Sequence, residues 1–333
     1  MPAPYEHIPV LYALVLEALT PASGGRYVDA TVGLGGHAGG ILEQSAPGGQ
    51  LLGLDLDPQA LEVARERLHR FGGRAVLARA DYTTLEEQAR ANGFLAAQGV
   101  LFDLGVSSLQ LERSERGFSF LVDAPLDMRF DPTSSPSAAD LLNDLDEAAL
   151  ADILWQYGEE RLSRRIARRI VQGRSRQRIE RTGQLAHLVE EAAGAHRGRI
   201  HPATRTFQAL RIAVNRELER IPQGLEQATR VLAPGGRLVV ISFHSLEDRI
   251  VKTFIQQEEG RCDWPARAPA EACPHLGRDG VRPCQARRGA SCGKSARLEA
   301  VGRSARPGAE EIERNSRARS ARMRVAERLA VEP

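Results

Sequence analysis

The chain has 333 residues, of which 42% are hydrophobic and 26% charged, and its formal net charge is +2 at pH 7. These values are typical of a globular protein long enough for two domains, and they exclude a chain that is disordered or collagen-like throughout. No apolar run approaches the roughly 18 residues of a membrane span. The N-terminus lacks a basic segment followed by an apolar block, so a secretory signal is not predicted. We therefore expect a cytoplasmic protein that contacts no membrane.

Short β-rich runs alternate with helical patterns in the first third of the chain, as in a parallel α/β sheet. Strands are predicted at residues 27–32, 51–56, 76–80 and 100–104. A helix from Pro58 to His69 lies between the second and third of these strands. The pattern predicts half of a doubly wound sheet.

The stretch after Gly105 contains turn-rich and helical segments without strand alternation. A long helix from Phe207 to Leu232 is predicted next, and strand residues return at 235–242, with weaker candidates at 297–301 and 322–326. The predicted fold class is therefore α/β, a Rossmann-like sheet with an inserted helical domain. We place the two parts of the sheet domain at residues 1–110 and 205–333, and the inserted domain at 111–204.

Arginines recur at spacings of three and four in the predicted insertion, while apolar side chains fall on the opposite face of the same helix. They are Arg161, Arg164, Arg165, Arg168 and Arg169. A second arginine series lies between Arg314 and Arg324. Each series is either a solvated face or a phosphate-binding surface for nucleic acid.

A glycine-rich segment at residues 29–37 follows the first strand and precedes a helix. Gly33, Gly35 and Gly36 allow the backbone to turn tightly and to approach a ligand at the helix N-terminus. Asp55 ends the second strand, where a carboxylate can accept hydrogen bonds from both ribose hydroxyls. The pattern predicts an adenosine-type cofactor and leaves open a dinucleotide or a structural glycine turn.

Two features favour S-adenosylmethionine over a nicotinamide. The segment Ala233-Pro-Gly-Gly-Arg-Leu238 is a helix-to-strand turn typical of methyltransferases, because proline ends the helix and paired glycines form the corner. Asp81 and Tyr82 follow the third strand, where methyltransferases commonly place an acid and an aromatic residue against adenine. Core packing is the alternative role for Tyr82.

The fourth strand ends at Asp103, at the sheet edge where open α/β folds bind their ligands. Carbon-5 methylation of cytosine requires a cysteine nucleophile, and all four cysteines lie between Cys262 and Cys292. Methylation of an exocyclic amine requires positioning and a proton acceptor, which makes Asp103 the catalytic candidate. Holding the charged amino-acid end of the cofactor is a compatible role for Asp103.

Over almost its full length the chain resembles the ribosomal RNA small subunit methyltransferase H family. The resemblance is carried by a series of motifs in chain order: His7-Ile-Pro-Val-Leu11, Gly33-Leu-Gly-Gly-His37, Asp103-Leu-Gly-Val-Ser-Ser108, Arg116-Gly-Phe-Ser-Phe120, Pro125-Leu-Asp-Met-Arg129, Tyr157-Gly-Glu-Glu160, His201-Pro-Ala-Thr-Arg-Thr-Phe-Gln208, Ala233-Pro-Gly-Gly236, Ile241-Ser-Phe-His-Ser-Leu-Glu-Asp-Arg249 and Arg317-Ala-Arg-Ser320. Such an ordered series is far more specific than one glycine motif.

The resemblance implies S-adenosylmethionine-dependent methylation of N4 of a cytidine at the decoding centre of 16S rRNA, with the small ribosomal subunit as substrate. It implies that the inserted domain binds RNA through its arginine helix. The family commonly has proline where Leu109 stands here. The cofactor contacts that the resemblance implies are Gly35, Gly36, His37, Asp55, Tyr82, Asp103 and Gln110. Gly33 of the glycine-rich segment is a further predicted cofactor-binding residue.

Other features leave alternatives. The cysteines, Cys262, Cys273, Cys284 and Cys292, lack the close pairs of a zinc site, so we predict unliganded cysteines rather than a metal site with His275. His244 follows a predicted strand, and a packed histidine is favoured over a base or a substrate contact. The alternative functions are a non-catalytic ribosome-assembly factor and a nicotinamide oxidoreductase, and the sequence indicates no oligomeric state.

Overall fold

The computed structural model describes residues 9–106, 114–133, 136–194, 201–260 and 295–330. Contacts within it divide the chain into two compact units. The sheet unit takes the described parts of residues 1–55, 59–105 and 220–333, and the helical unit takes those of 56–58 and 106–219. The division thus falls after Gly105 and Glu219 rather than after residues 110 and 204.

Seven strands of the sheet unit form one sheet in the order β3-β2-β1-β4-β5-β7-β6. Strands β1 to β5 pair in parallel, whereas β7 is antiparallel to both β5 and β6. The order reverses between β1 and β4, the switch point at which open α/β sheets bind ligands. The prediction of a Rossmann-like α/β fold is confirmed. The strands are β1 Arg26–Asp29, β2 Gln50–Asp55, β3 Ala75–Arg79, β4 Ala97–Asp103, β5 Leu232–Ser242, β6 Leu298–Ala300 and β7 Arg322–Arg328.

The α-helices of the described residues are numbered here in chain order. They are α1 Tyr12–Leu19, α2 Gly36–Gln44, α3 Pro58–Leu68, α4 Leu85–Asn92, α5 Ala138–Asp144, α6 Glu147–Gly158, α7 Ser163–Arg174, α8 Thr182–Ala193, α9 Ala203–Asn215, α10 Glu217–Val231, α11 Ser245–Glu258 and α12 Ala309–Arg314.

Both faces of the central strands are covered. In β2 the four consecutive residues 51–54 are buried, and in β4 the residues 99–102 are buried. Because successive residues of a strand point to opposite faces, such a run is expected only where both faces pack against other elements. The carboxyl ends of β1, β2 and β4 are therefore held on a rigid support.

The predicted long helix from Phe207 to Leu232 is wrong, because the structure has two helices there, α9 and α10. Arg216 between them adopts a left-handed backbone conformation, with φ 49° and ψ 38°. The side chain of Asn215 donates to the Met128 carbonyl oxygen at 2.7 Å and accepts from the Phe130 N–H at 2.7 Å. These two bonds hold the end of α9 inside the helical unit, and the boundary between the units follows soon after.

The helical unit is built from α5 to α9 around its own apolar core. Ser137 and Asp140 form a reciprocal cap at the start of α5, and Asp146 accepts from the Ala149 N–H at the start of α6. The strand-like pairing recorded in its described residues is a single bridge between Pro125 and Arg181. Across the described parts of the chain, none of the helices is both long and apolar enough to cross a membrane.

Candidate active site

The loop between β1 and α2 is tied to the end of β2. The Gly33 N–H donates to Asp55 Oδ2 at 2.9 Å, and the Val32 N–H donates to the Leu54 carbonyl oxygen at 2.8 Å. Gly35, which precedes α2, has a φ of 76°, a conformation that favours glycine. Asp55 is thus fixed against the glycine loop, and its predicted contact with the ribose hydroxyls stays a prediction.

The sequence analysis explains Gly36 by the close approach of a ligand, but the structure shows a different reason for glycine at this position. A Cβ atom on Gly36 would lie 2.5 Å from Cγ of Pro9. The segment before α1 therefore packs directly against the first turn of α2. This packing alone requires glycine at position 36, whichever ligand the loop binds.

Asp103 ends β4 beside this loop. Its N–H donates to Thr31 Oγ1 at 2.7 Å, which fixes its backbone to the residues after β1. Asp103 Oδ2 lies 3.5 Å from Nδ1 of His37. The other carboxylate oxygen, Oδ1, is buried and has no hydrogen-bond partner within the described residues. A buried carboxylate oxygen is costly unless it is paired, so this atom marks a place for a donor from a ligand.

Several carboxyl groups gather at this edge of the sheet. Burial raises the pKa of Asp103 to about 8, and the charges of Asp29 and Glu247 add to the increase. Burial also raises the pKa of Asp29 to about 7, against a hydrogen bond from Thr31, and the charge of Asp55 contributes. The edge of the sheet is thus poor in positive charge and suits a cationic ligand.

His37 lies behind Asp103 in the interior, with a side chain only 5% exposed. Its Nε2 is 3.0 Å from the Val10 carbonyl oxygen, and its ring stacks on Tyr12 with centroids 6.2 Å apart. Both ring nitrogens therefore face protein groups. The predicted contact of His37 with the cofactor stays a prediction.

Tyr82 follows Asp81 after β3, as predicted. Its ring lies edge-on to Phe102 with centroids 5.6 Å apart, and a Cβ on Gly224 of α10 would come within 2.5 Å of Tyr82 Cδ2. Asp81 Oδ2 lies 3.2 Å from Arg220 Nη1. Tyr82 is only partly buried, and its predicted contact with adenine stays a prediction.

His244 is packed, as the sequence favours. Its Nδ1 accepts from the Glu247 N–H at 3.4 Å at the start of α11, whereas its buried Nε2 lies 3.1 Å from Glu247 Oε1 without a hydrogen bond among the described residues. Glu247 is almost fully buried and also accepts from the Phe243 N–H at 2.7 Å. This local network caps α11 and brings the Glu247 carboxylate near Asp103.

Asp29 and Glu247 are the residues of this cluster that sequence reasoning passed over as site residues. Asp29 ends β1, and Glu247 lies in the first turn of α11, the helix that follows β5, so their places at the carboxyl edge of the sheet were the available signal. Gln110 and the four cysteines lie outside the described residues, as does His275. Within the described part of the chain, no group of three or more His, Cys, Asp or Glu side chains could hold a metal ion.

The helical unit carries the predicted arginines on α7 and, for Arg161, just before it. Arg161, Arg164 and Arg165 are exposed and have no carboxylate partner among the described residues. Arg168 lies 3.4 Å from Glu147, and Arg169 pairs with Glu191 at 2.5 Å. The unpaired arginines leave a net positive surface, whereas Arg168 and Arg169 are partly neutralised.

The residues at the switch point fit S-adenosylmethionine. Asp55 offers a carboxylate next to the glycine loop, Tyr82 offers part of an aromatic ring, and Asp103 offers a buried acceptor without a hydrogen-bond partner in the described chain. S-adenosylmethionine presents matching donors in its two ribose hydroxyls and in the ammonium group of its amino-acid end. The acidic edge also suits its positive charges.

Comparison with known proteins gives close matches in sequence. The model of the MraW methylase family matches residues 4–329. A protein named ribosomal RNA small subunit methyltransferase H from Thermomicrobium roseum is 51% identical over 325 residues, which are 97% of this chain and 94% of that protein. One of the same name from Geobacter sulfurreducens is 49% identical over 98% of this chain and 99% of its own length.

Solved structures match less closely. A SAM-dependent O-methyltransferase from Thermotoga maritima aligns with 97% of this chain and 66% of its own, with 9% sequence identity and a TM-score of 0.40.

Proposed function

Because this chain belongs to the MraW methylase family, we propose that it methylates N4 of one cytidine of 16S rRNA within the small ribosomal subunit. The chain is an S-adenosylmethionine-dependent methyltransferase of small-subunit rRNA. The proposal adds a target at the decoding centre, the assembled particle as substrate, and roles for individual residues. The observation that carries these roles is the buried Oδ1 of Asp103 at the switch point of the sheet.

Three side chains would hold the cofactor. Asp55 accepts hydrogen bonds from the ribose hydroxyls, and its bond from the Gly33 N–H keeps the carboxylate directed along the glycine loop. Tyr82 packs against the adenine, and Phe102 fixes the plane of its ring. S-adenosylmethionine supplies a methyl group on a cationic sulfonium. Gln110, from the family resemblance, contacts the methionine portion.

Asp103 is the proposed catalytic residue. An exocyclic amine that gains a methyl group must lose a proton, and a carboxylate at the end of β4 is placed to orient the amine and to accept that proton. The raised pKa of Asp103, about 8, makes its carboxylate a stronger base than an exposed aspartate. Amine methylation needs no covalent nucleophile, so no role is assigned to the four cysteines between Cys262 and Cys292.

Arginines on α7 and just before it bind the phosphates of the RNA in this proposal. Arg161, Arg164 and Arg165 are exposed side chains without carboxylate partners among the described residues, which suits a polyanion. N4 of cytidine is an atom of the base-pairing edge, so the target must be unpaired or turned out of its helix before it reaches the site.

The test is transfer of a labelled methyl group from S-adenosylmethionine to unmodified small ribosomal subunits, followed by nucleoside mass spectrometry. Naked rRNA, tRNA and protein are the control acceptors. We expect N4-methylated cytidine only in the rRNA of the particle. Cofactor binding without transfer would overturn the proposal in favour of an assembly factor, and binding of NAD without S-adenosylmethionine would favour an oxidoreductase.

A further inference from the structure

His37 has a fixed tautomer. Its Nε2 lies 3.0 Å from the Val10 carbonyl oxygen. Because a carbonyl oxygen can only accept, Nε2 carries a hydrogen. The second ring nitrogen, Nδ1, lies 3.5 Å from Asp103 Oδ2. Nδ1 is therefore a lone-pair acceptor when the ring is neutral and a donor when it is an imidazolium.

The ring is held in this orientation from two sides. Tyr12 stacks on it at an interplanar angle of 24°, and a Cβ on Gly40 would come within 2.3 Å of the Tyr12 hydroxyl oxygen, so α1 and α2 are in close contact. Pro9 fills the space beside Gly36, the residue before His37. With its side chain only 5% exposed, the imidazole cannot turn Nδ1 away from Asp103 without repacking these elements.

We propose that His37 is a positioning residue for Asp103, and that one proton shared between His37 Nδ1 and Asp103 Oδ2 keeps Asp103 Oδ1 a hydrogen-bond acceptor. When the carboxyl group is neutral, its proton lies on Oδ2 and is donated to Nδ1. When it is ionised, Nδ1 carries the proton. Oδ1 is unprotonated in both states, so it accepts from an amino group of a bound molecule. This inference rests on the proposed function.

The titratable groups around Asp103 determine how much the position of this proton matters. Asp29 from β1 and Glu247 from α11 face it with negative charge, and His37 from α2 faces it with Nδ1. Burial and the two acidic neighbours raise the pKa of Asp103 to about 8. Near pH 7 a carboxyl group without His37 would carry its proton on either oxygen. A proton on Oδ1 would turn a donor toward the incoming amine.

Oδ1 could accept a hydrogen bond from the ammonium group of the cofactor or from N4 of the cytidine. Binding of two ligands distinguishes these alternatives. S-adenosylhomocysteine carries the ammonium of the amino-acid end, whereas 5′-methylthioadenosine keeps the adenosine and lacks that end. If Oδ1 binds the ammonium, disrupting His37 weakens only the first ligand. If Oδ1 binds N4 of the cytidine, both ligands keep their affinity and the rate of methyl transfer falls.

The experiment uses two amide substitutions in the full chain. His37→Gln places an amide nitrogen near the position of Nε2 and keeps a donor for Val10, but it leaves nothing at the position of Nδ1. His37→Asn places a polar atom near the position of Nδ1 and loses the bond to Val10. Calorimetry with both ligands near pH 7 and pH 9, methyl transfer at the same pH values, and thermal unfolding are measured for each variant.

We expect His37→Gln to lose about tenfold near pH 7, either in affinity for S-adenosylhomocysteine or in the rate of methyl transfer, and to recover near pH 9, where Asp103 is ionised without help. His37→Asn should lose less than His37→Gln, although its thermal stability falls. The proposal is overturned if His37→Gln matches the wild type at both pH values, or if it weakens both ligands equally at every pH.

A readout on the ligand-free protein separates this inference from the proposed function. Nitrogen-15 NMR of the imidazole, assigned by its loss in His37→Gln, should show Nε2 protonated and an Nδ1 signal that shifts in Asp103→Asn. An Nδ1 signal that is identical in Asp103→Asn would overturn the shared proton. If the shift is present while the wild type transfers no methyl group to rRNA, the proposed function fails and the His37–Asp103 relationship stands.

Discussion

Asp29 and Asp103 end the neighbouring strands β1 and β4, and the charge of Asp29 adds to burial in raising the pKa of Asp103 to about 8. Two nearby carboxyl groups cannot both ionise without an energetic cost. The edge of the sheet therefore retains protons near neutral pH that an exposed pair of aspartates would lose. A cation that binds there makes ionisation easier, so ligand binding and proton release are linked.

The first prediction concerns the pH dependence of stability. The folded pKa of Asp103 lies above the unfolded value of 3.8, so between about pH 4 and pH 8 the folded state binds more protons than the unfolded state. Its contribution to the free energy of unfolding therefore falls as the pH rises. Asp103→Asn should remove this penalty and stabilise the protein at pH 8, relative to the wild type, by about 4 kcal/mol more than at pH 5.

Urea denaturation at pH 5, 6.5 and 8 measures this effect. A stability difference between variant and wild type that stays constant over the range would contradict the raised pKa. Methyl transfer by the same variant should fall about a hundredfold, since the asparagine amide cannot accept a proton.

The second prediction concerns the ribose contact. Asp55→Asn keeps the size of the side chain but replaces a carboxylate acceptor with an amide. Affinity for S-adenosylmethionine should fall about 10- to 100-fold, while affinity for rRNA should change less than twofold. Calorimetry and filter binding measure the two affinities. Asp152→Asn, at an exposed carboxylate of α6, is the matched control. Equal losses in both affinities would remove the proposed division of labour.

The third prediction concerns the packing of Gly224 against the Tyr82 ring. In Gly224→Ala the new methyl group would lie 2.5 Å from Tyr82 Cδ2 and 3.1 Å from Phe102 Cε1, so the Tyr82 ring must shift. We expect a destabilisation of about 1 to 3 kcal/mol and about tenfold weaker cofactor binding. Gly73→Ala is the control, because a Cβ at that position has no atom within 4 Å. Unchanged cofactor binding in Gly224→Ala would separate Tyr82 from the adenine site.

The fourth prediction concerns the arginines of α7. Reversing the charge at Arg164 and Arg165 should weaken rRNA binding about tenfold or more near physiological salt. It should also reduce the slope of the logarithm of affinity against the logarithm of salt concentration by about 2. Cofactor affinity should not change. Charge reversal at Arg90 and Arg230, exposed arginines of the sheet unit that have carboxylate partners, is the matched control. A similar loss of rRNA affinity in the control variant would show that the effect depends only on the net charge of the protein.

Local patterns in the sequence were sufficient to predict the strands and the glycine loop that position the site. Strand alternation, Pro58 at a helix start and the glycine loop place β1 to β4 to within a few residues of their observed bounds. The helical periodicity of the sequence did not predict the break at Arg216. A single residue in a left-handed conformation separates α9 from α10 there, although the apolar pattern continues on both sides. That break depends on Asn215 reaching the distant backbone of Met128 and Phe130, which no local pattern contains.

The site shows the same limit. Asp55 and Asp103 follow strands and could be placed on one edge of the sheet from the sequence alone. The proximity of His37 Nδ1 to Asp103, and the effect of Glu247 on the pKa of Asp103, arise from packing between elements far apart in sequence. Sequence spacing within a motif does not determine such contacts.

The order of the strands has a consequence for the chain during its synthesis. Strand β4 ends at Asp103, but its neighbour β5 starts only at Leu232, after the helical unit has been made. At typical rates of translation these intervening residues take roughly 6 to 26 seconds. A nascent chain therefore carries an unpaired β4 edge until the residues of β5 have been made. An unpaired strand edge is a template for wrong pairing, so we expect the nascent chain to be most prone to aggregation in this interval.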